Sequence, residues 1–121
     1  MTKAYKIKLL KRVIAHFEKQ GRRAVHARTK ECQYRTSSGK MCALGCLIDD
    51  KHYTEGLEGL GISWDDTDVA VALRKSGIRI SDDTDRLFLS HLQDIHDGAA
   101  GFRLMMAEYA KLLGSLQRPR P

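Results

Sequence analysis

The sequence predicts an α+β domain that is mostly helical: a compact single domain of about four helices with a small β-hairpin. Three observations carry this. Apolar residues recur at three- and four-residue spacing in the first and last segments of the chain. Both prolines fall in the last three residues, so no proline interrupts a helix before them. Between the helical patterns, a block from Cys32 to Tyr53 shows turn and small-residue signals instead. A chain of 121 residues suits one core. The expected globular domain covers residues 1–117, and 118–121 reads as a frayed tail.

The first helix is expected over residues 3–20. Ile7, Leu10, Val13, Ile14 and Phe17 form its apolar stripe, and Gly21 supplies a C-cap. A basic connector follows, with Arg22, Arg23, His26, Arg28 and Lys30. Glu31 to Arg35 and Lys40 to Ala43 flank Thr36-Ser37-Ser38-Gly39, the pattern of a hairpin with a short Gly-containing loop. Cys42 to Ile48 reads as either a strand or a short helix. Gly45 there signals close backbone packing. Three glycines at 56, 59 and 61 predict a turn or broken helix.

Two segments echo each other. Ile62-Ser63-Trp64-Asp65-Asp66-Thr67-Asp68 and Ile80-Ser81-Asp82-Asp83-Thr84-Asp85 each precede an apolar run. Neither has the sixth-position Gly and closing Glu of a calcium loop. They read as helix starts, with Asp65 or Asp66 capping one helix and Ser81 or Asp82 the other. The first of these helices ends at Ser76-Gly77, and the second runs from about 83 to 97. Ile78-Arg79-Ile80 is expected as a short strand between them. Phe102, Met105, Met106, Tyr109, Leu112, Leu113 and Leu116 give the last helix its stripe.

The block around Tyr34, Cys42, Gly45, Cys46, Asp49 and Tyr53 has a further property. It spells Cys-x-Tyr-Arg, a Gly turn, Cys-Ala-Leu-Gly-Cys, Leu-Ile-Asp, then Tyr and Glu-Gly. This resembles a family of small proteins encoded by bacteria and their phages. The resemblance covers residues 32–59 best, and Leu92-Gln93-Asp94-Ile95-His96-Asp97 more weakly. In that pattern a Pro often stands where this chain has Asp49, which bears on the local turn. The resemblance implies a small cytosolic accessory protein of phage or prophage type that works by binding in the bacterial host cytoplasm. It implies no particular reaction.

The charge is unevenly placed. Residues 1–41 carry a net +10, residues 42–101 a net −7 and residues 102–121 a net +3, for +6 overall. Such asymmetry points to a basic face that meets an anion. Arg12, Arg22, Arg23, Arg28, Lys30 and Arg35 are the candidate anion-binding residues, with Tyr5 and Tyr34 as possible aromatic contacts. The plainer alternative is internal: the basic helix lies against the acidic middle. The partner is expected to be a nucleic acid, a nucleotide signal or an acidic host protein. No membrane partner is expected: no stretch nears the roughly 18 apolar residues of a span, and the N-terminus has no apolar signal-peptide core.

Other chemistry is sparse. Three cysteines in a cytosolic setting read as free thiols, buried as small apolar residues. No cofactor and no metal are expected. If a metal were held, Cys32, Cys42, Cys46 and His52 (or His26) would be its ligands, though only Cys42 and Cys46 are close in sequence. Cys46 and His52 lie within reach in sequence, but proximity alone shows neither a base at hydrogen-bond distance nor an orienting third group. His91 and His96, five residues apart on a helix, do not share a face. Gly56-x-x-Gly59-x-Gly61 neither follows a strong strand nor opens a clear helix, as a phosphate loop would. The leading expectation is therefore a non-enzymatic binding module with an anionic partner. The alternatives are a small metal protein or enzyme centred on Cys42, Cys46 and His52, and a protein-only inhibitor using the acidic middle.

Overall fold

Helix formation follows the apolar spacing closely. The computed structural model describes residues 1–62 and 67–119, and places α-helices at α1 (Lys3–Gln20), α2 (Asp68–Lys75), α3 (Asp83–Gly98) and α4 (Phe102–Gln117). Three single turns of 3₁₀ helix, Gly45–Leu47, Asp50–His52 and Glu55–Leu57, punctuate the connection between α1 and α2. No described helix is long and apolar enough to cross a membrane.

Local chemistry sets the helix ends. The Thr2 hydroxyl accepts the Tyr5 N–H at the start of α1. At its end Gly21 turns left-handed (φ 74°) and its N–H closes on the Phe17 carbonyl. Thr67 caps α2 by accepting the Ala70 N–H. Asp82 caps α3 by accepting the Asp85 N–H, as expected for one of the two acidic starts. Asp65 and Asp66 lie outside the described residues; the side chain capping α2 is Thr67.

The core forms where α1, α3 and α4 meet. Phe17 is fully buried, with its ring stacked 5.7 Å from His96 on α3 and 5.8 Å from Tyr109 on α4. Leu10, Val13, Leu89, Leu92 and Met105 complete this centre, and Leu44, Leu47 and Ile48 pack in from the connection. Tyr109 spans the layer, donating its hydroxyl to the Leu92 carbonyl at 2.7 Å.

The β content expected from the sequence is a correction. The described residues contain no strand and no hairpin. Antiparallel pairing is limited to two isolated bridges, Val25 with Cys32 and Arg35 with Met41. A ladder fails to extend because side chains take its backbone groups. Glu58 accepts the N–H groups of Tyr34 (2.8 Å) and Arg35 (3.1 Å). Gln20 accepts the Met41 N–H at 2.7 Å, and His16 and Gln20 both donate to the Met41 carbonyl. Ile78-Arg79-Ile80 forms no strand either: the Arg79 N–H donates to the Tyr5 hydroxyl, and the Ile80 carbonyl accepts from Arg74.

The signature block folds as a knot around Gly45. The Tyr34 carbonyl passes directly over it and accepts the Cys42 N–H at 3.0 Å. A Cβ at position 45 would run into the Tyr34 carbonyl group, with the carbonyl carbon at 2.8 Å. Arg35 lies across the ring of Tyr53 at 4.8 Å and donates to the Ile48 carbonyl and to Asp50, each at 2.6 Å. Tyr53 in turn donates to Glu58 at 2.5 Å. The Tyr34 hydroxyl donates to the Leu60 carbonyl. Asp49 is extended (φ −65°, ψ 147°), a backbone that proline also adopts, but its N–H donates to Ser76 at 2.8 Å. Pro there would keep the turn and lose that bond.

Gly45→Ala should cost about 3 kcal/mol or more, because the obstructing atoms are backbone and cannot swing away. Chemical denaturation checks this; a variant as stable as wild type would mean that the Tyr34–Gly45 crossing is looser than described.

A second prediction concerns acid. The buried Asp85 carboxylate accepts the Met1 amine at 2.6 Å and the Ser81 N–H at 2.7 Å. Burial alone would raise its pKa, but the amine hydrogen bond, the Ser81 N–H and the amine's charge outweigh it, and the net shift is downward. A depressed carboxylate adds stability that is complete above its unfolded pKa of about 3.9 and is lost as pH falls through the lower folded value. Asp85→Asn should therefore lower stability at neutral pH by about 3–5 kcal/mol, the range for breaking a buried pair. It should also flatten the acid limb of the stability–pH curve below about pH 4.

Candidate functional site

The outer face of α1 carries a row of exposed cations. The apolar stripe of α1 turns Leu9, Leu10, Val13 and Phe17 inward. Helical geometry then directs Lys8, Lys11, Arg12, Ala15 and Lys19 outward together, and all five are exposed. Glu18 at the edge of this row is the one acid on α1. Arg22 follows the C-cap and is exposed as well.

The connector then makes a tight turn closed by the Val25–Cys32 bridge. The Nδ1 atom of His26 accepts the N–H groups of Arg28 and Thr29, each at 3.1 Å, and the Lys30 N–H donates to the His26 carbonyl. Lys30 adopts a left-handed backbone (φ 64°), the one non-glycine among the described residues to do so. The turn leaves Arg28, Thr29, Lys30 and Glu31 exposed.

The six candidate anion-binding residues therefore divide. Arg12, Arg22, Arg28 and Lys30 are exposed, and their side chains have no hydrogen bond or ion pair among the described residues. Arg23 and Arg35 are half-buried and engaged internally. The Arg23 guanidinium donates to the His96 carbonyl at 2.9 Å, to the Asp97 carbonyl at 3.3 Å and to the Cys32 sulfur at 3.3 Å. It thus satisfies the terminal carbonyls of α3, where a cation also meets the negative end of the helix dipole. Arg35 belongs to the signature knot. The aromatic contacts expected of Tyr5 and Tyr34 are taken too. Tyr34 is buried, and Tyr5 lies under the Arg79 guanidinium at 4.9 Å.

The cysteines separate. Among the described residues, Cys32, Cys42, Cys46 and His52 do not converge on a common point. Cys42 is buried and Cys46 half-buried, with the Cys46 thiol donating to the Ala43 carbonyl at 3.1 Å. Burial raises the pKa of all three thiols, most strongly at Cys42, and pushes Cys46 up to about 12 despite the nearby Arg12 and Arg35. Their reactive thiolate forms are suppressed at neutral pH.

A different cluster does form. Cys32, His96 and Asp97 bring their ligand-type atoms within 4.8 Å of one another. They lie beside a cavity of about 260 Å³ whose lining includes Cys32, Tyr34, Glu58, Gln93 and Asp97. Its chemistry is decided by one backbone group. The Ala24 N–H donates to His96 Nε2 at 3.0 Å, so Nε2 must present a lone pair and the ring proton sits on Nδ1. Nδ1 then donates to Asp97 at 2.9 Å. Burial would raise the Asp97 pKa, but the hydrogen bonds from His96, Gln93 and Cys32 more than compensate, and it is lowered. Both imidazole nitrogens are committed. His96 has no free lone pair to take the Cys32 proton or a metal ion; a metal on Nδ1 would force the proton to Nε2, against the Ala24 N–H.

Known proteins give no match: no family model, curated protein or solved structure is similar to the chain.

Sequence reasoning missed the residues that satisfy the connection: Gln20, Gln93 and His96. Gln93 accepts the Leu44 N–H at 3.2 Å while donating to Asp97 at 2.8 Å. No local pattern marks a polar side chain whose backbone partner lies dozens of residues away. The sequence marks Leu92–Asp97 through the resemblance and through its helical histidines, but not its role, which is to anchor the block that begins at Ala24.

His96→Ala should destabilise the fold by at least about 1–3 kcal/mol, since it leaves the buried Ala24 N–H unpaired. Stoichiometric zinc should leave the melting temperature of the wild type unchanged. A zinc-dependent rise that His96→Ala abolishes would show that the imidazole does exchange tautomers and bind metal.

Proposed function

We propose that this protein is a non-enzymatic binding module that engages an anionic partner through the outer face of α1 and the turn at residues 26–31. What supports this reading is a row of cations left exposed on one helix face and the turn after it, with the acids that are engaged holding other parts of the fold. Asp50, Glu58, Asp82, Asp83, Asp85 and Asp97 each hold a partner within the fold. Lys8, Lys11, Arg12, Lys19, Arg22, Arg28 and Lys30 stand exposed, with no hydrogen bond or ion pair to their side chains among the described residues. The acidic middle therefore does not serve as an internal counter-surface for the basic helix. Half of its twelve carboxylates cap helices or hold loops; Asp49, Glu55, Asp68 and Asp94 stay exposed on other parts of the surface.

The alternative of a small metal protein or enzyme centred on Cys42, Cys46 and His52 is disfavoured by the separation of those residues and by the suppressed thiols. The context implied by the signature resemblance, a phage or prophage accessory protein in a bacterial cytoplasm, is compatible with a binding role. It does not choose the partner.

The test separates exposed from internal arginines. Arg22→Ala/Arg28→Ala should melt within about 0.5 kcal/mol of wild type. If the partner's anions are phosphates, it should bind a polyanion more weakly, with a salt slope lower by about two units. Arg23→Ala should instead lose about 1.5–3 kcal/mol of stability, the value of charged hydrogen bonds. If wild type binds no polyanion at low salt, the reading fails.

A further inference from the structure

The geometry points to the phosphate backbone of a double-stranded nucleic acid, bound without regard to sequence, as the partner of the α1 face. This rests on the anionic-partner reading and narrows it.

What the face carries, and what it omits, select the partner. Its exposed residues are Lys8, Lys11, Arg12, Ala15, Glu18 and Lys19. At 1.5 Å per residue, Lys8 to Lys19 spans about 16 Å of rigid helix. The row contains no Asn or Gln to read adenine, its Lys and Arg can meet a phosphate as well as a guanine edge, and Gln20 beside it is committed to Met41 and Arg22. It contains no aromatic ring on which an unstacked base could lie, the usual means of holding a single strand. Nor does it contain an apolar anchor of the kind that dominates protein interfaces. Among the described residues, the large exposed hydrophobic side chains, Leu60, Val71, Leu87 and Leu104, all lie outside α1. At its centre is Ala15, small enough to let a flat or convex surface approach the cations on either side. A fixed row of charge with nothing else to offer suits a ligand that is itself a rigid row of charge. Duplex backbone carries one negative charge per roughly 1.7 Å of axis. Arg22 and the exposed Arg28 and Lys30 extend the positive surface beyond the helix end.

The experiment measures binding of the full chain to a labelled duplex of scrambled sequence, to a second unrelated duplex, to a single strand of equal length and to poly-glutamate. Each is titrated over a salt series, and every variant is melted alongside. The two duplexes should bind alike and more tightly than the single strand or poly-glutamate. Arg12→Ala/Lys19→Ala should lower the duplex salt slope by about two units with melting unchanged. Lys8→Ala/Arg22→Ala serves as an independent second pair. Arg103→Ala/Lys111→Ala, equal in charge and exposed on α4, should leave the slope at its wild-type value. Tighter binding of the single strand or of poly-glutamate would overturn the duplex inference while leaving the anionic-partner reading intact. So would equal losses in the α1 and α4 variants. Failure of all four probes to bind would remove both.

Discussion

The constraint on which this structure depends is the demand that buried backbone groups be paired. The connection between α1 and α2 has no described strands, so the usual solution, a sheet, is missing. Its carbonyl and N–H groups are nonetheless drawn into the core with Ala24, Tyr34, Leu44 and Leu47. An unpaired buried group costs about 1–3 kcal/mol, and several would exhaust the net stability of a small domain. Side chains therefore do what strands do elsewhere. Glu58 takes two N–H groups, Gln20 takes one N–H and one carbonyl, and His96, Gln93 and Arg23 reach from other parts of the fold to Ala24, Leu44 and the end of α3.

The signature block gains a physical meaning from this. Arg35, Gly45, Tyr53 and Glu58 could have been read as exposed recognition residues. In the structure they hold one another: Gly45 makes room for Tyr34, Glu58 ties down the Tyr34–Arg35 backbone, and Arg35 packs on Tyr53 and secures the chain at Ile48. A pattern of this kind can persist because it folds a sheetless segment, whatever the protein binds.

The sequence was legible where the physics is local. The stripe of α1, the Gly21 stop, the Asp82 start of α3 and the stripe of α4 all depend on residues within one or two turns of each other. The hairpin reading failed at Tyr34, Arg35 and Met41, whose ladder groups are diverted to Glu58, Gln20 and His16. These diversions involve partners 21 to 25 residues distant, which no short-range pattern encodes. The same limit applied to the arginines. Arg22 and Arg23 are adjacent and chemically equal in the sequence, yet one is exposed and the other caps α3 from 73 residues away. Their separation is a product of the tertiary fold.

That separation bears on how the molecule can change. Charges committed to the fold, such as Arg23, Arg35, Asp85 and Asp97, couple stability to the partners they hold, and altering one leaves another buried and unsatisfied. Exposed cations on α1 carry no such coupling, because solvent already satisfies them and their contribution to stability is small. The row from Lys8 to Lys19 can therefore gain or lose charge while the knot around Gly45 and the Phe17 centre stay as they are. Under the proposed reading, the affinity of this row for an anion could therefore be tuned residue by residue without cost to the fold. Salt should modulate that affinity far more than it modulates the fold, since screening acts on exposed charges and little on the buried Met1–Asp85 pair.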